Sequence, residues 1–581
     1  MPMIGRIYKL LTLASFVLLV YDFGYDQGPQ QQRWVLSGYL VSTIFFTGFE
    51  LYRVFSPNEK SHLLNILRLV LPSITFVIIL IAWLLEPVTL FGAIVQFEVL
   101  FFLNVLLLLV FEFTIYISRL YTRALSPAFV FASSFAVLIL SGTLLLKLPN
   151  ATVQGISVLD ALFTATSAVS VTGLAVVDTG TYFTRMGHWI ILGLIQLGGL
   201  GVLTLTTFFA YFFKGSSSFQ EDLHIKDFLS SETLGGLLEL SIKIVVFTLG
   251  IELAAACLVF FNLPEGFFET LDDRLFFSLF HAVSAFCNAG FSTLTNGLYE
   301  GPMRFSYNVH LAIAFLVVTG GIGFNIVFNI FVYARFKALS WYNRFVLRLP
   351  KYHKTVRLVT LNTKIVLYTT GALILAGTVL FLILEQKHTL AEHPSWWGKL
   401  VTSLFGSITP RTAGFNTVNM SELAVPTVII TILLMWIGAS PGSTGGGIKT
   451  STFALASLNI FTTASGKNRV ELGSREVPQH SINRAFAIIS LSLIVIGIGI
   501  LLITTVEPGL DFMHIAFEVF SAYSTVGLSL GITPGLSDFS KFVLIFVMFV
   551  GRVGSLNLLI GMIRQTKSLP YRYPQESVLI N

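Results

Sequence analysis

Apolar runs of about 20 residues, the length a helix needs to cross a bilayer, follow one another along this chain between short polar stretches. They predict spanning helices near residues 7–23, 34–55, 62–86, 92–118, 128–148, 183–213, 234–261, 307–333, 364–384, 426–463, 482–505 and 542–563. The run at 426–463 is interrupted: between Trp436 and Ile448 stand Gly438, Pro441, Gly442, Gly445, Gly446 and Gly447. No continuous helix carries that density, at up to about 1 kcal/mol per glycine and about 3 for proline. A helix broken at membrane depth has to be shielded from lipid, most simply by lining a cavity.

Four shorter apolar runs, near 158–170, 276–286, 397–407 and 512–523, lie between these spans and are too short to cross. Each predicts a half-helix that dips in and returns. After each comes a small, hydroxyl-bearing or β-branched residue, a glycine, and Leu or Phe: Thr172-Gly173-Leu174, Ala289-Gly290-Phe291, Ala413-Gly414-Phe415 and Val526-Gly527-Leu528. The glycines recur at roughly 115 to 125 residues, a longer period than that of solenoid repeats. One unit was used four times.

A single small-residue cluster in a membrane protein usually means close helix packing. Four copies, each behind a half-helix and between full-length spans, favour another role. Non-helical backbone at that depth is tolerated only in protein or along a water-filled path. Four such loops around one axis would point carbonyl oxygens at a desolvated cation, and glycine lets the carbonyl turn inward without a Cβ clash. The implied ligand is K⁺, at Gly173, Gly290, Gly414 and Gly527.

At these residues the chain resembles the Trk/Ktr/HKT superfamily of potassium transporters, most closely the membrane subunit of the bacterial Ktr system. The resemblance covers about residues 126–581 and includes the four filter stretches. It also takes in GGIGF at Gly320 to Phe324, SPGSTGGGIKT at Ser440 to Thr450, GRVGSLNLL from Gly551, and YRYPQESVLI from Tyr571. It implies an all-α polytopic protein of four membrane-pore-membrane repeats around one pore, with K⁺ rather than Na⁺ preferred where the first filter residue is glycine. It implies a gate made of the glycine-rich loop (Gly442, Gly445, Gly446, Gly447 and Lys449) and Arg552. It further implies a homodimer and a Ktr- or Trk-type cytosolic nucleotide-binding regulatory ring, with nucleotide only on that partner, no covalently bound cofactor, and Na⁺ as a candidate activator.

Composition agrees: 54% hydrophobic, 11% charged and a mean hydropathy of +0.80 exclude a soluble core. The net charge of +6 sits in loops between spans and reports topology, not nucleic-acid binding. Arg53 with Lys60, Arg119 with Arg123, and the run from Arg335 to Arg357 place alternate loops and both termini in the cytoplasm of a plasma-membrane protein. The last run is also a candidate contact for anionic lipid or an acidic partner. Expected boundaries are a four-helix extension at 1–122, pore repeats at 123–220, 221–345, 346–470 and 471–563, and a cytoplasmic tail at 564–581.

Other polar residues at membrane depth have two readings each. Glu98 and Glu112 are intramembrane carboxylates or interfacial anchors, and Asp178 either draws cations to the outer mouth or caps a helix. Arg552 faces the water path or pairs with a carboxylate. The two cysteines, Cys257 and Cys287, form no disulfide framework. GSTGGGIKT is not a phosphate loop, because Ile448 separates Gly447 from Lys449 and no strand precedes it. Two competing functions are a cation-coupled secondary transporter, which would favour inverted repeats, and a membrane enzyme, for which His281 and Glu518 are the nearest acid-base residues without ligand spacing. Four units of one orientation argue against the first, and the separation of His281 and Glu518 in different repeats against the second.

Overall fold

The computed structural model describes residues 2–54, 127–201, 237–345, 359–467, 469–472 and 475–562. Most of it is helix; among the described residues the only strands are the pair Glu471–Leu472 and Arg475–Glu476. Helices Pro2–Gly24 and Pro29–Val54 pack on each other, joined by the Ser15 and Ser42 hydroxyls at 2.8 Å. They reach the first repeat where Asn150 Nδ2 donates to the Phe23 carbonyl at 3.4 Å. The expected extension helices near 62–86 and 92–118, with Glu98 and Glu112, lie outside the described residues.

Each repeat has an outer helix, a short pore helix and an inner helix. The outer helices are Pro127–Leu146, Leu237–Asn262, Leu361–Leu384 and Gln479–Val506. The pore helices are Val158–Val169, Leu271–Phe286, Trp396–Ile408 and Phe512–Ser524. All four begin alike. Ser157, Thr270, Ser395 and Asp511 are the N-caps, and each side chain accepts a backbone N–H of the first turn. Asp178, whose role the sequence leaves open, is likewise a cap, accepting from Gly180 N at 3.0 Å and Thr181 Oγ1 at 2.6 Å. Ile242–Asn262, Leu361–Leu384 and Gln479–Val506 are long and apolar enough to cross a membrane alone.

The inner helices depart from expectation. The sequence predicts unbroken spans over 183–213, 307–333 and 542–563. Instead helix Arg185–Leu200 stops at Gly201, Tyr307–Ile322 gives way to Phe324–Phe345 at Gly323 with a bend of 102°, and Asp538–Val553 gives way to Ser555–Met562 at Gly554. Those glycines have φ of +79°, +93° and +88°, outside the helical region. Three residues before each, Gly198, Gly320 and Gly551 lie so close to the carbonyls of Val169, Phe286 and Tyr523 that a Cβ would collide. Each break therefore sits against the end of its own pore helix. In the third repeat, Val425–Trp436 and Thr450–Ala464 flank the expected glycine-rich interruption.

Polar links join the repeats into a ring. Arg185 reaches Asp272 at 2.6 Å between the first and second, and Arg304 pairs with Glu392 between the second and third. Trp436 Nε1 donates to Ser492 Oγ at 3.2 Å between the third and fourth. Lys541 pairs with Asp160 at 2.8 Å between the fourth and first.

Candidate functional site

The four glycines predicted for the filter form a closed cycle. A Cβ built on Gly173 would strike the carbonyl oxygen of Ala289, one on Gly290 that of Ala413, one on Gly414 that of Val526, and one on Gly527 that of Thr172, all closer than 3.0 Å. Each repeat thus presents its glycine to the carbonyl of the next, in ring order one, two, three, four, one. With φ between +69° and +92° as well, these positions exclude side chains twice over. The flanking residues predicted with them, Thr172, Leu174, Ala289, Phe291, Ala413, Phe415, Val526 and Leu528, are all buried.

Two residues before each glycine the backbone is left-handed at a residue that is not glycine: Val171 at φ +58°, Asn288 at +60°, Thr412 at +79° and Thr525 at +51°. Three of these are β-branched, for which this region is a genuine outlier costing about 1–3 kcal/mol. The sequence shows no sign of this, because Val, Asn and Thr carry no left-handed signature as a set. What holds the turn is bonding from the pore helix. Thr172 N, Ala289 N, Ala413 N and Val526 N donate to the carbonyls of Ser167, Ser284, Thr409 and Ser521 at 2.7–2.9 Å. The same side chains reach the strand. Ser167 and Ser521 accept from Gly173 N and Gly527 N at 3.0 and 3.1 Å, while Ser284 and Thr409 donate to the Phe291 and Phe415 carbonyls at 2.8 and 2.5 Å. All four pore helices end here, so the negative ends of their macrodipoles converge on the ring.

Beneath the ring lies the glycine-rich loop, residues 437–449, pinched at its neck by a bridge between Ile437 and Ile448. It fits against the left-handed residues: Gly446 N donates to Thr525 Oγ1 at 3.0 Å, and Gly445 lies where any Cβ would strike Thr412 Oγ1. On the side of the second repeat, Ser440 N donates to Gly321 O at 3.0 Å and Phe324 N to Gly442 O at 3.2 Å. Gly442 and Gly447 have φ of +71° and +68°. Lys449 Nζ turns back onto Gly445 O at 2.5 Å. From the fourth repeat, half-buried Arg552 donates to the loop carbonyl of Thr444 and to Gly198 O of the first repeat. No carboxylate pairs with it among the described residues. Loop and arginine together link the third repeat to the other three.

His281 and Glu518 do not meet. Each bonds within its own repeat, His281 Nε2 to Ser292 Oγ at 2.9 Å and Glu518 to Ser529 Oγ. Cys287 is buried with its Sγ 3.8 Å from Gln196 Oε1 and from Glu252 Oε1, and Cys257 is exposed. Neither forms a disulfide.

A family model described as TrkH, cation transport protein, matches residues 97–569. The chain is 38% identical over 459 residues to the Ktr system potassium uptake protein B of Bacillus subtilis (strain 168), covering 78% of this chain and 96% of that one. It is 35% identical over 468 residues to the potassium/sodium uptake protein NtpJ of Enterococcus hirae, covering 79% and 98%. Its fold is similar to that of the potassium transporter TrkH from Vibrio parahaemolyticus, with a TM-score of 0.58 at 19% identity, covering 86% of this chain and 97% of that one.

Proposed function

This chain belongs to the TrkH family of cation transport proteins, and from that premise we propose that it is a multi-pass membrane protein carrying K⁺ into the cell. The closed cycle of Gly173, Gly290, Gly414 and Gly527 against neighbouring carbonyls carries this reading. Carbonyls held by a shared cycle replace the hydration shell of a cation without a charged side chain in the path. The loop bearing Gly442, Gly445, Gly446, Gly447 and Lys449, together with Arg552, acts as the gate below this filter. A cation moving inward meets that loop next, and a guanidinium beside it opposes passage.

Opening then needs a ligand or partner that binds one loop conformation better than the other. The relatives' names make them components of a Ktr system, which supports a partner subunit in that role; on our reading that partner is a cytosolic nucleotide-binding ring, the chain is a homodimer and both termini are cytoplasmic. One relative is named for potassium and sodium, so Na⁺ as activator or co-substrate belongs to the same test. Saturable K⁺ uptake into proteoliposomes holding the chain and its co-purified partner is expected, with Na⁺ a poor substitute. Failure to carry K⁺ with the partner present overturns the reading.

A further inference from the structure

Two buried side chains on the pore helices are left unused by the filter as described, and they occupy equivalent places. His281 stands nine residues before Gly290, and Glu518 nine before Gly527; their partners Ser292 and Ser529 stand two residues after those glycines. His281 Nδ1 lies 3.0 Å from the Phe277 carbonyl and so carries the proton, leaving Nε2 to accept from the Ser292 hydroxyl. Glu518 Oε1 accepts from the Ser529 hydroxyl in the same way. Each serine oxygen then accepts a backbone N–H two residues on, from Leu294 at 3.0 Å and Gly531 at 2.9 Å. A histidine and a glutamate thus do the same thing in two repeats.

The other two repeats lack the arrangement. At the same offsets the first has Thr164 and Ala175, and Thr164 bonds its own helix at Asp160 O, 2.9 Å. The third has Phe405 and Asn416, and Asn416 donates across to Asn296 O at 3.0 Å. Repeats two and four face each other across the cycle of glycines. Glu518 Oε2, buried like the rest of its side chain, has no partner among the described residues.

We propose that His281 with Ser292 and Glu518 with Ser529 are positioning residues, two struts on opposite sides of the pore that fix the outer strands of the filter and so set its preference for K⁺ over Na⁺. The inference rests on the K⁺ filter reading. Carbonyls spaced for K⁺ discriminate against the smaller ion only while the strands resist closing around it, and a strut from helix to strand supplies that resistance.

The test uses the full chain with its partner in proteoliposomes, comparing K⁺ and Na⁺ uptake at matched protein. Ser292→Ala and Ser529→Ala each remove the hydroxyl that links helix to strand and are expected to lower the K⁺ over Na⁺ preference by at least about two- to ten-fold, the equivalent of the strut hydrogen bond alone, while uptake continues. Glu518→Leu is expected to lower it by no more than Ser529→Ala, which also loses the hydroxyl's bonds to Gly531 N and Thr533 Oγ1, and the double variant is expected to be no worse than Ser529→Ala, because the strut bond is shared. Glu518→Gln keeps an acceptor oxygen and is expected to restore the preference. Thr164→Val, whose hydroxyl serves only its own helix, is expected to change nothing. Wild-type preference in both Ser292→Ala and Ser529→Ala overturns the struts, as does a loss in Thr164→Val of the same size. Absence of K⁺ uptake by the wild type would instead remove the filter reading beneath them.

Discussion

Arg552→Ala tests the gate most directly. In the wild type the guanidinium donates to the Thr444 carbonyl of the loop and to the Gly198 carbonyl opposite, and lies 5.8 Å from the Phe135 ring centre. A hydrogen bond from a charged donor contributes about 1.5–3 kcal/mol, and only the one to Thr444 holds the loop itself. Its loss is expected to shift the balance of closed and open loop by about 10- to 100-fold. A second term acts on the ion: a cation passing a guanidinium at about 4 Å is opposed by roughly 4 kcal/mol at an effective dielectric of 20. Both terms have the same sign, so K⁺ flux without the regulatory partner is expected to rise. Arg552→Lys separates them, keeping the charge but losing the fork that reaches two carbonyls, and is expected to fall between. Deleting Gly442 to Gly446 removes the obstruction and is expected to raise partner-independent flux as well. The assay is uptake of K⁺ into proteoliposomes with and without partner, alongside Na⁺: the preference for K⁺ is expected to stay in Arg552→Ala, whose bonds reach no filter strand, whereas the deletion also removes the Gly446 N bond to Thr525 Oγ1. Equal partner-independent flux in wild type, Arg552→Ala and the deletion, at matched folding, would falsify the gate.

Serine at the filter glycines is expected to lower the K⁺ over Na⁺ flux ratio, least at Gly290, where the nearest carbonyl leaves most room at 2.8 Å from a Cβ, and more at Gly173, Gly414 and Gly527; equal ratios in all four variants and wild type refute the cycle. Cysteines introduced at Lys351 and Lys467, in a chain with Cys257 and Cys287 replaced, are expected to resist an impermeant thiol reagent on intact cells, and labelling of either from outside overturns the topology. Glu507, at the end of Gln479–Val506, is held below the usual carboxylate range by hydrogen bonds from Ser537 and Ser540. A depressed value stabilises the fold above the ordinary glutamate pKa, and that advantage is lost as pH falls through the folded value. The melting temperature of the wild type in detergent is therefore expected to exceed that of Glu507→Gln near neutrality and to converge with it in acid; a constant difference across that range sinks the assignment.

How much of this was legible in the chain follows from what each feature asks of side chains. The filter glycines were legible because a Cβ is excluded there, and exclusion leaves one residue type at Gly173, Gly290, Gly414 and Gly527. The left-handed residues before them were not: Val171, Asn288, Thr412 and Thr525 are held by bonds from the pore helices, and such bonds are made to backbone whatever the side chain. The struts escaped for the opposite reason, since His281 and Glu518 look unlike each other while their acceptor atoms do the same thing.

The inner-helix breaks were written in the sequence in a form that apolar length conceals. Gly198 and Gly201, Gly320 and Gly323, Gly551 and Gly554 share one spacing, the first member meeting the end of a pore helix and the second turning out of the helical region. The third repeat breaks its inner helix below the filter as well, but over the thirteen residues 437–449 instead of at a single glycine. Among the described residues the inner helix ends at Gly201 in the first repeat and resumes beyond its break in the other three, so on the gate reading the chain need not disrupt a continuous helix to make the loop. It has only to lengthen one interruption. The extra backbone groups of that longer loop then need partners, and they are found on the other repeats: Gly321 and Phe324 on one side, Thr525 and Arg552 on the other. On the proposed gate reading those contacts are what a binding partner would have to exchange to move the loop, and two of them lie on the second-repeat break, where the inner helix already bends by 102°.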